Sequence, residues 1–317
     1  MTHYVFKAIG TSWKIDIYDA LGTLLGPARE AEILTLIRTR IEAFEQTYSR
    51  FRADSLVSKM SREAGVYTLP ADATSMFALY RDLYDRTGGF FTPLVGKMLV
   101  DAGYDAQYSL KQKQALVAPP AWDDVMEFSV APQGSPTLTI KKPVSLDFGA
   151  AGKGYLIDLV GQVLDEQGIS GYCIDAGGDI LHKGEPTSRA SMTASAPLRV
   201  GLEDPEHTDQ VIGVCELQDA SICGSAGNRR SWGDFTHIMN PKTLVSPTEI
   251  IAVWVVAKTA LIADALTTCL FFVPAATLRA YDFEYVILKK DRSIEKSAHF
   301  TGELFVTGVT TSNSATD

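Results

Sequence analysis

Cysteine is scarce in this chain: four in 317 residues, Cys173, Cys215, Cys223 and Cys269, far apart and without a CxxC pair. That spacing excludes a cysteine-pair zinc site and a disulfide framework, and it reads as small core residues in a reducing compartment. Positive charge is also short. Lys and Arg number 29 against 38 Asp and Glu, a formal net charge of −9, which argues against a broad nucleic-acid surface. No long hydrophobic run exists. The most apolar stretch, Ala260 to Pro274, is broken by Asp264, Thr267 and Thr268 and is too short and polar to cross a bilayer. The first ten residues, Met1 to Gly10, lack a basic segment leading into an apolar one, and no cysteine near them suits lipidation. A cytoplasmic protein with neither membrane nor nucleic acid as partner is expected. The phosphate-binding pattern GxxxxGK[ST] is missing too.

The remainder has the mix of an ordinary globular protein, 46% hydrophobic and 21% charged, and is long enough for one large domain or two closely packed lobes. Val5 to Tyr18 alternates as a first strand with a bend at Gly10-Thr11. Ala31, Ile33, Leu34, Leu36, Ile37, Ile41 and Phe44 recur at helical spacing, predicting a helix over Pro27 to Tyr48. A loop follows over Ser49 to Ser55. Further helices are expected over Thr74 to Thr87, Gly152 to Gln167 and Ala260 to Phe272, with short strands from Trp122 to Leu146. Strands are also expected at Gly171 to Asp175 and Ile251 to Ala257, and a hairpin at Tyr285 to Lys289 and Ser293 to Ser297. The order is α+β, mixed sheets with packed helices, rather than a regular βαβ series. The expected organisation is a single domain over 1–307, with a Thr/Ser-rich tail from Gly308 that frays.

Three clusters carry chemistry. In Ser145-Leu-Asp-Phe-Gly-Ala-Ala-Gly-Lys-Gly-Tyr155, a carboxylate, small residues and one lysine stand where a strand runs into a helix. A tight turn explains the small residues equally well, but Lys153 could reach a phosphate that a helix N-terminus also attracts. In Ala263-Asp-Ala-Leu-Thr-Thr268, Asp264 and Thr268 lie four apart and share a helix face. Such pairs are usually solvated. Here the flanks are apolar, and a buried carboxylate needs a partner or a metal; two hard oxygens suit Mg²⁺. In the third cluster His237 sits between the loop Ser225 to Arg230 and Asn240-Pro241. It is either a turn-stabilising residue or a general base with a pKa near neutrality. Gly177-Gly178-Asp179 reads as a turn with positive φ.

These clusters, together with Ser49-Arg-Phe-Arg-Ala-Asp-Ser55, Gly89-Phe-Phe-Thr-Pro93, Asp175-Ala-Gly-Gly-Asp179 and His237-Ile-Met-Asn-Pro241, resemble the ApbE family, the FAD:protein FMN transferases. The resemblance runs from Gly10-Thr11 to about Phe272. It implies an ApbE-like flavin transferase fold and a reaction in which a Thr or Ser hydroxyl of a target flavoprotein attacks the FMN phosphorus of FAD. AMP leaves, and FMN stays attached as a phosphoester. It implies Mg²⁺ held by Asp264, Thr268 and the carbonyl of Ala150, with Thr267 nearby. It implies FAD contacts from Phe51, Gly89, Phe90, Phe91, Asp147 and Lys153, and His237 as the proton acceptor. It also implies an acceptor carrying a Ser/Thr-Gly-Ala-Thr-like segment; the missing export signal makes that a cytoplasmic reductase.

The sequence departs from the family pattern at several places. Phe91 stands where an aspartate is usual, Gly224-Ser225-Ala226 where Thr-Ser-Gly is usual, and Leu244 where a glycine is usual. Two other functions fit the same residues: a Mg²⁺-dependent FAD pyrophosphatase releasing FMN and AMP, and a flavin-binding protein without turnover.

Overall fold

The computed structural model describes residues 2–18, 25–113, 115–131, 134–184, 197–305 and 308–312. The chain opens with the hairpin β1 (Thr2–Ala8) and β2 (Thr11–Ile17), then the long helix α1 (Pro27–Tyr48) and the short α2 (Leu56–Met60). Next come β3 (Gly65–Thr68), α3 (Ala73–Arg86), α4 (Gly96–Ala102), α5 (Trp122–Val125), β4 (Met126–Ser129) and β5 (Thr137–Ile140). The central helix α6 (Gly152–Glu166) leads into β6 (Tyr172–Ala176), β7 (Ile180–Lys183), β8 (Leu198–Glu203), β9 (Val211–Leu217) and β10 (Ser221–Ala226). After the small hairpin β11 (Ser231–Trp232) and β12 (Phe235–Thr236) come β13 (Ile250–Ala257) and α7 (Ala260–Cys269). The chain closes with β14 (Phe283–Lys289), β15 (Ile294–Ser297), β16 (Gly302–Leu304) and β17 (Val309–Ser312).

The α+β expectation is met. Among the described residues one nine-stranded sheet has the order β1-β2-β6-β7-β10-β13-β14-β15-β17, beside three-stranded sheets β16-β9-β8 and β3-β5-β4. Helices α1, α6 and α7 pack on one side of the large sheet. Helix α1 buries Ile33, Ile37, Ile41, Phe44 and Tyr48, the single apolar stripe that a 3.6-residue period produces. The other face of the β10–β13–β14–β15 region is covered by the β16-β9-β8 sheet over a second apolar cluster, including Leu202, Ile212, Leu217, Ile222, Val286 and Leu288.

Several boundaries differ from those read in sequence. The first strand is an antiparallel hairpin pairing Thr2 with Ile17 through Ala8 with Thr11; the Gly10 φ of +77° makes its turn. Helix α2 and strand β3 went unread, because five and four residues are too few to show a period. The segment read as short strands begins with a helical turn, Trp122–Val125. The tail does not fray at Gly308. Val309–Ser312 pairs parallel with β15, Ile294 opposite Val309, after the chain has left the large sheet to add β16 to the small one. Residues 313–317 lie outside the described residues.

Two contacts bring α7 against α6. Asp158 of α6 accepts hydrogen bonds from the backbone N–H groups of Ala260 and Leu261, at 2.9 and 2.8 Å, capping the otherwise orphaned donors at the start of α7. One turn earlier, Gly154 lets the helices touch. A Cβ there would stand 2.1 Å from the Ala260 carbonyl oxygen and 2.7 Å from the Asp264 Cβ, closer than atoms can approach. Gly154→Ala is expected to destabilise the fold by about 1–3 kcal/mol, the usual cost of overpacking, read as a lower midpoint in urea unfolding.

Candidate active site

A cavity of about 650 Å³ is lined from many parts of the chain. The turn Ile9-Gly10-Thr11, the end of α1, the segment Ser49–Phe51, the entry to α6, the Gly177-Gly178 turn, β8, β10, His237 and α7 all reach it. Of the residues singled out in sequence, Phe51, Phe90, Phe91, Asp147, Ala150, Lys153, His237, Asp264 and Thr268 are on its wall. Gly89 and Thr267 are not on that wall. Gly89 lies in a turn at φ +87° against Tyr84. Thr267 is fully buried, donating to the Asp264 carbonyl oxygen at 2.7 Å and sharing a 2.8 Å hydrogen bond with the Ser225 hydroxyl.

At the floor are two carboxylates and one lysine. Asp264 accepts from the Gly154 N–H at 2.8 Å. Gly154 is in the first turn of α6, where backbone N–H groups have no partner within the helix. Ala150, just before the helix, lines the cavity. Burial, and then the neighbouring Asp179 charge, push the Asp264 carboxyl up to about 8. Asp179 is itself 1% exposed, ion-paired with Lys153 Nζ at 2.6 Å and accepting from the Gly224 N–H at 3.0 Å. Burial works against charge on Lys153, but the Asp179 and Asp264 carboxylates outweigh it and hold its pKa above the ordinary lysine value. Lys153 is thus already paired, and Asp179, read only as part of a turn, anchors it. Gly177 and Gly178 make the expected turn, with φ of +71° and +98°. At Gly177 a Cβ would fall 2.1 Å from the Thr11 hydroxyl.

Asp264 and Thr268 share a face of α7, and both line the cavity with Ala150. One carboxylate, one hydroxyl and one carbonyl are hard oxygen donors that fit Mg²⁺. That the Asp264 carboxyl is held up even with Lys153 nearby leaves room for further positive charge, which a divalent cation would supply. Among the described residues no cluster of three or more His, Cys, Asp or Glu side chains converges.

His237 is half-buried on the wall. Its backbone N–H donates to the Arg230 carbonyl oxygen at 3.1 Å, while its ring Nδ1 is buried without a partner. Burial first, then the Arg230 charge, pull its pKa down to about 4, so the ring is neutral near pH 7.

The aromatic end of the cavity holds the residues least visible in sequence. Arg50 forms a buried ion pair with Asp147. Its guanidinium lies 4.2 Å from the Phe51 ring centroid and 4.9 Å from that of Tyr104. Tyr108 stacks on Phe51 with centroids 5.5 Å apart and planes 12° from parallel. Phe90 stacks on Phe272 at 5.8 Å, with Lys242 Nζ 4.1 Å from its centroid. Phe91, which replaces a polar residue of the family pattern, is 1% exposed and stacked on Tyr80 at 4.8 Å; most of its surface belongs to the core. Asp147, expected to touch ligand, is held by Arg50 and by the Gly149 N–H at 2.7 Å. Arg50 could have been found from the Ser49-Arg-Phe-Arg run. Tyr104 and Tyr108 left no periodic signal, because they belong to an irregular loop, with Tyr108 at φ +50°.

Aromatic side chains together with an oxygen-rich floor that holds one lysine line a single cavity, which suits an aromatic ring system joined to a phosphate that arrives with a cation. The chain belongs to the ApbE family, whose model matches residues 9–283. Among its relatives, the FAD:protein FMN transferase of Treponema pallidum (strain Nichols) is 26% identical over 280 residues, covering 83% of this chain and 76% of that protein. The Escherichia coli (strain K12) FAD:protein FMN transferase is 23% identical over 277 residues, covering 83% and 75%. Among solved structures, the ApbE protein of Thermotoga maritima superposes with a TM-score of 0.75 at 21% identity, over 94% of this chain and 97% of that one. The flavin transferase ApbE of Vibrio cholerae does so at 0.72 and 20%, over 93% and 96%. These two share the fold.

Arg50 and Asp147 are 6% and 11% exposed. Removing one partner strands the other charge out of water. Arg50→Met is expected to cost about 3–5 kcal/mol in denaturant unfolding, and Asp147→Asn added to it should recover much of that loss.

Proposed function

We propose that this chain is a Mg²⁺-dependent FAD:protein FMN transferase that moves FMN from FAD to a Thr or Ser hydroxyl of a target flavoprotein, with release of AMP. The observation that carries the reading is the convergence of Asp264, Thr268, Lys153 and His237 on one cavity whose far end is aromatic. FAD has that polarity: a flat ring system at one end and a pyrophosphate behind it. The names of the relatives support the same reading.

The isoalloxazine would lie among Phe51, Phe90 and Tyr108, with the pyrophosphate over the start of α6 near Lys153. The hydroxyl oxygen of the acceptor forms a bond to the FMN phosphorus. The bridging P–O bond breaks, and AMP carries away the bond electrons. The hydroxyl proton goes to the neutral imidazole of His237, which lines the cavity. Asp264, Thr268 and the Ala150 carbonyl would hold Mg²⁺, which when bound neutralises charge on the pyrophosphate and on the departing phosphate. Thr267 supports this set from behind, tying α7 to Ser225 on β10. Asp179 keeps the Lys153 ammonium charged and pointed at the floor. No described helix is long and apolar enough to cross a membrane, and a cytoplasmic acceptor such as a reductase with an FMN-carrying domain is the partner we infer.

The test is incubation with FAD, Mg²⁺ and an acceptor domain bearing the Ser/Thr-Gly-Ala-Thr-like segment, with intact mass read on both proteins. One FMN phosphoester gained by the acceptor, matched by AMP and blocked by EDTA, is expected. Free FMN and AMP without a mass gain would instead mark a hydrolase, and bound FAD without AMP a binding protein. His237→Gln should lower the transfer rate by about 10²–10⁴-fold while FAD affinity is kept.

The Asp264 carboxyl gives a pH signature. Its native pKa, pushed up to about 8, lies above the ordinary carboxylate value, so the folded state holds more protons between the two. Stability without metal therefore falls as pH rises through that window. Metal binding must expel the same proton. Mg²⁺ affinity, followed by isothermal titration calorimetry, should rise by about tenfold per pH unit below pH 8 and then level off; a flat profile would remove Asp264 from the metal site.

A further inference from the structure

The wall of the cavity includes an open strand edge. Strand β8 pairs with β9 in the register Leu198 with Leu217, Val200 with Cys215 and Leu202 with Gly213, and it is the outermost strand of its sheet among the described residues. The phase of the ladder follows from the other side of β9. Glu216 N–H donates to the Thr301 carbonyl at 3.0 Å, and the Ile212 carbonyl accepts from Phe305 N–H at 2.8 Å. Backbone polar groups alternate sides along a strand. Residues 212, 214 and 216 therefore turn toward β16, while 213, 215 and 217 turn toward β8. Leu198, Val200 and Leu202 use their backbone groups on β9. Arg199 and Gly201 point theirs outward, and neither has a backbone hydrogen-bond partner there among the described residues.

Unpaired strand edges are usually blocked by a proline, an inward charge or a bulge. Here Pro197 stands just before the strand and the bulge falls at the far end, between Leu202 and Glu203, so the two outward positions between them, Arg199 and Gly201, are left unblocked. Both Arg199 and Gly201 are exposed. At Gly201 a Cβ would stand 2.9 Å from Val211 Cγ1, so packing within the sheet accounts for the glycine, while its backbone groups still point outward. The edge is also continuous with the candidate active site: Val200, Gly201 and Glu203 line the same cavity as Lys153, His237 and Asp264.

We propose that the open edge of β8 is the docking strand for the acceptor protein, whose hydroxyl-bearing segment adds to it as an extended strand. This deepens the transferase reading and rests on it. A reaction that modifies a hydroxyl on a polypeptide must bring main chain as well as side chain into the cavity, and that main chain needs its polar groups satisfied as it loses water. Pairing with Arg199 and Gly201 does this independently of sequence. The two-residue alternation of the added strand then directs every second side chain toward the cavity, so one Ser or Thr reaches the phosphorus while its neighbours stay out. Recognition through backbone would leave a short, small-residue acceptor segment sufficient.

The test uses the intact enzyme with FAD, Mg²⁺ and a synthetic peptide carrying Ser-Gly-Ala-Thr, and a series of the same peptide N-methylated at one backbone nitrogen at a time. FMN transfer is read by mass and AMP release in parallel. Methylation on alternate residues should raise the acceptor KM by about tenfold or more, with the residues between them near the unmodified value. A uniform response along the peptide, or none, would overturn the docking. Arg199→Pro is the complementary variant, since proline is tolerated at an outward position of an edge strand. It should raise the acceptor KM by a similar factor with FAD affinity unchanged. An unchanged acceptor KM, or a shift in oligomeric state that accounts for the loss, would count against the proposal. If neither the unmodified peptide nor a whole acceptor domain gains FMN although FAD is bound, the transferase reading itself fails and the docking falls with it.

Discussion

The close approach of α6 and α7 at Gly154 is the contact on which the site depends. It allows the Gly154 N–H to reach Asp264 at 2.8 Å, and with it the Asp158 cap seats the start of α7. Because Asp264 and Thr268 ride on α7 and Lys153 and Ala150 sit at the start of α6, one helix–helix distance sets the spacing of four candidate ligands at once. A side chain as small as a methyl at position 154 would change them all together. The local cost is an uncompensated carboxyl in a dry place, which the nearby Lys153 only partly relieves because Asp179 claims it first.

The two ends of the cavity are built by different physics. The floor is electrostatic: buried carboxylates, one shared ammonium and a helix-start backbone donor. The aromatic end is a stack, in which the Arg50 guanidinium lies against Phe51 and Tyr104 while its charge is met by Asp147. Asp147 thus couples the ends. It leaves the entry to α6 through the Gly149 N–H and reaches the arginine under the rings. Residues that look in sequence like independent ligand contacts are members of one supporting network, and few of them are left unpaired to meet a ligand directly.

Much of this was legible from the chain alone where a period or a local motif existed. Helix α1 is found between the same two residues that its apolar spacing marks, because Pro27 and the buried stripe are local signals. The Asp264–Thr268 pair is likewise visible, since helical geometry places residues four apart on one face. What was not legible depends on pairing across distance. That Asp179 holds Lys153, that Arg50 holds Asp147 and that Thr267 turns away toward Ser225 are facts of tertiary placement, and no spacing in sequence encodes them. The closing strand β17 was misread for the same reason. Val309-Thr-Thr-Ser312 is a polar stretch whose order comes entirely from β15 beside it.

That last segment also links the parts of the molecule. After β15 the chain leaves the nine-stranded sheet, lays β16 along β9 in the smaller one, and returns as β17 at the edge of the first. The small sheet is therefore laced to the large one by a strap that must be unpicked from both before either can come apart. Such lacing makes the two layers behave as one cooperative unit, and it keeps β8, at the opposite side of the small sheet, at a fixed height above the cavity floor.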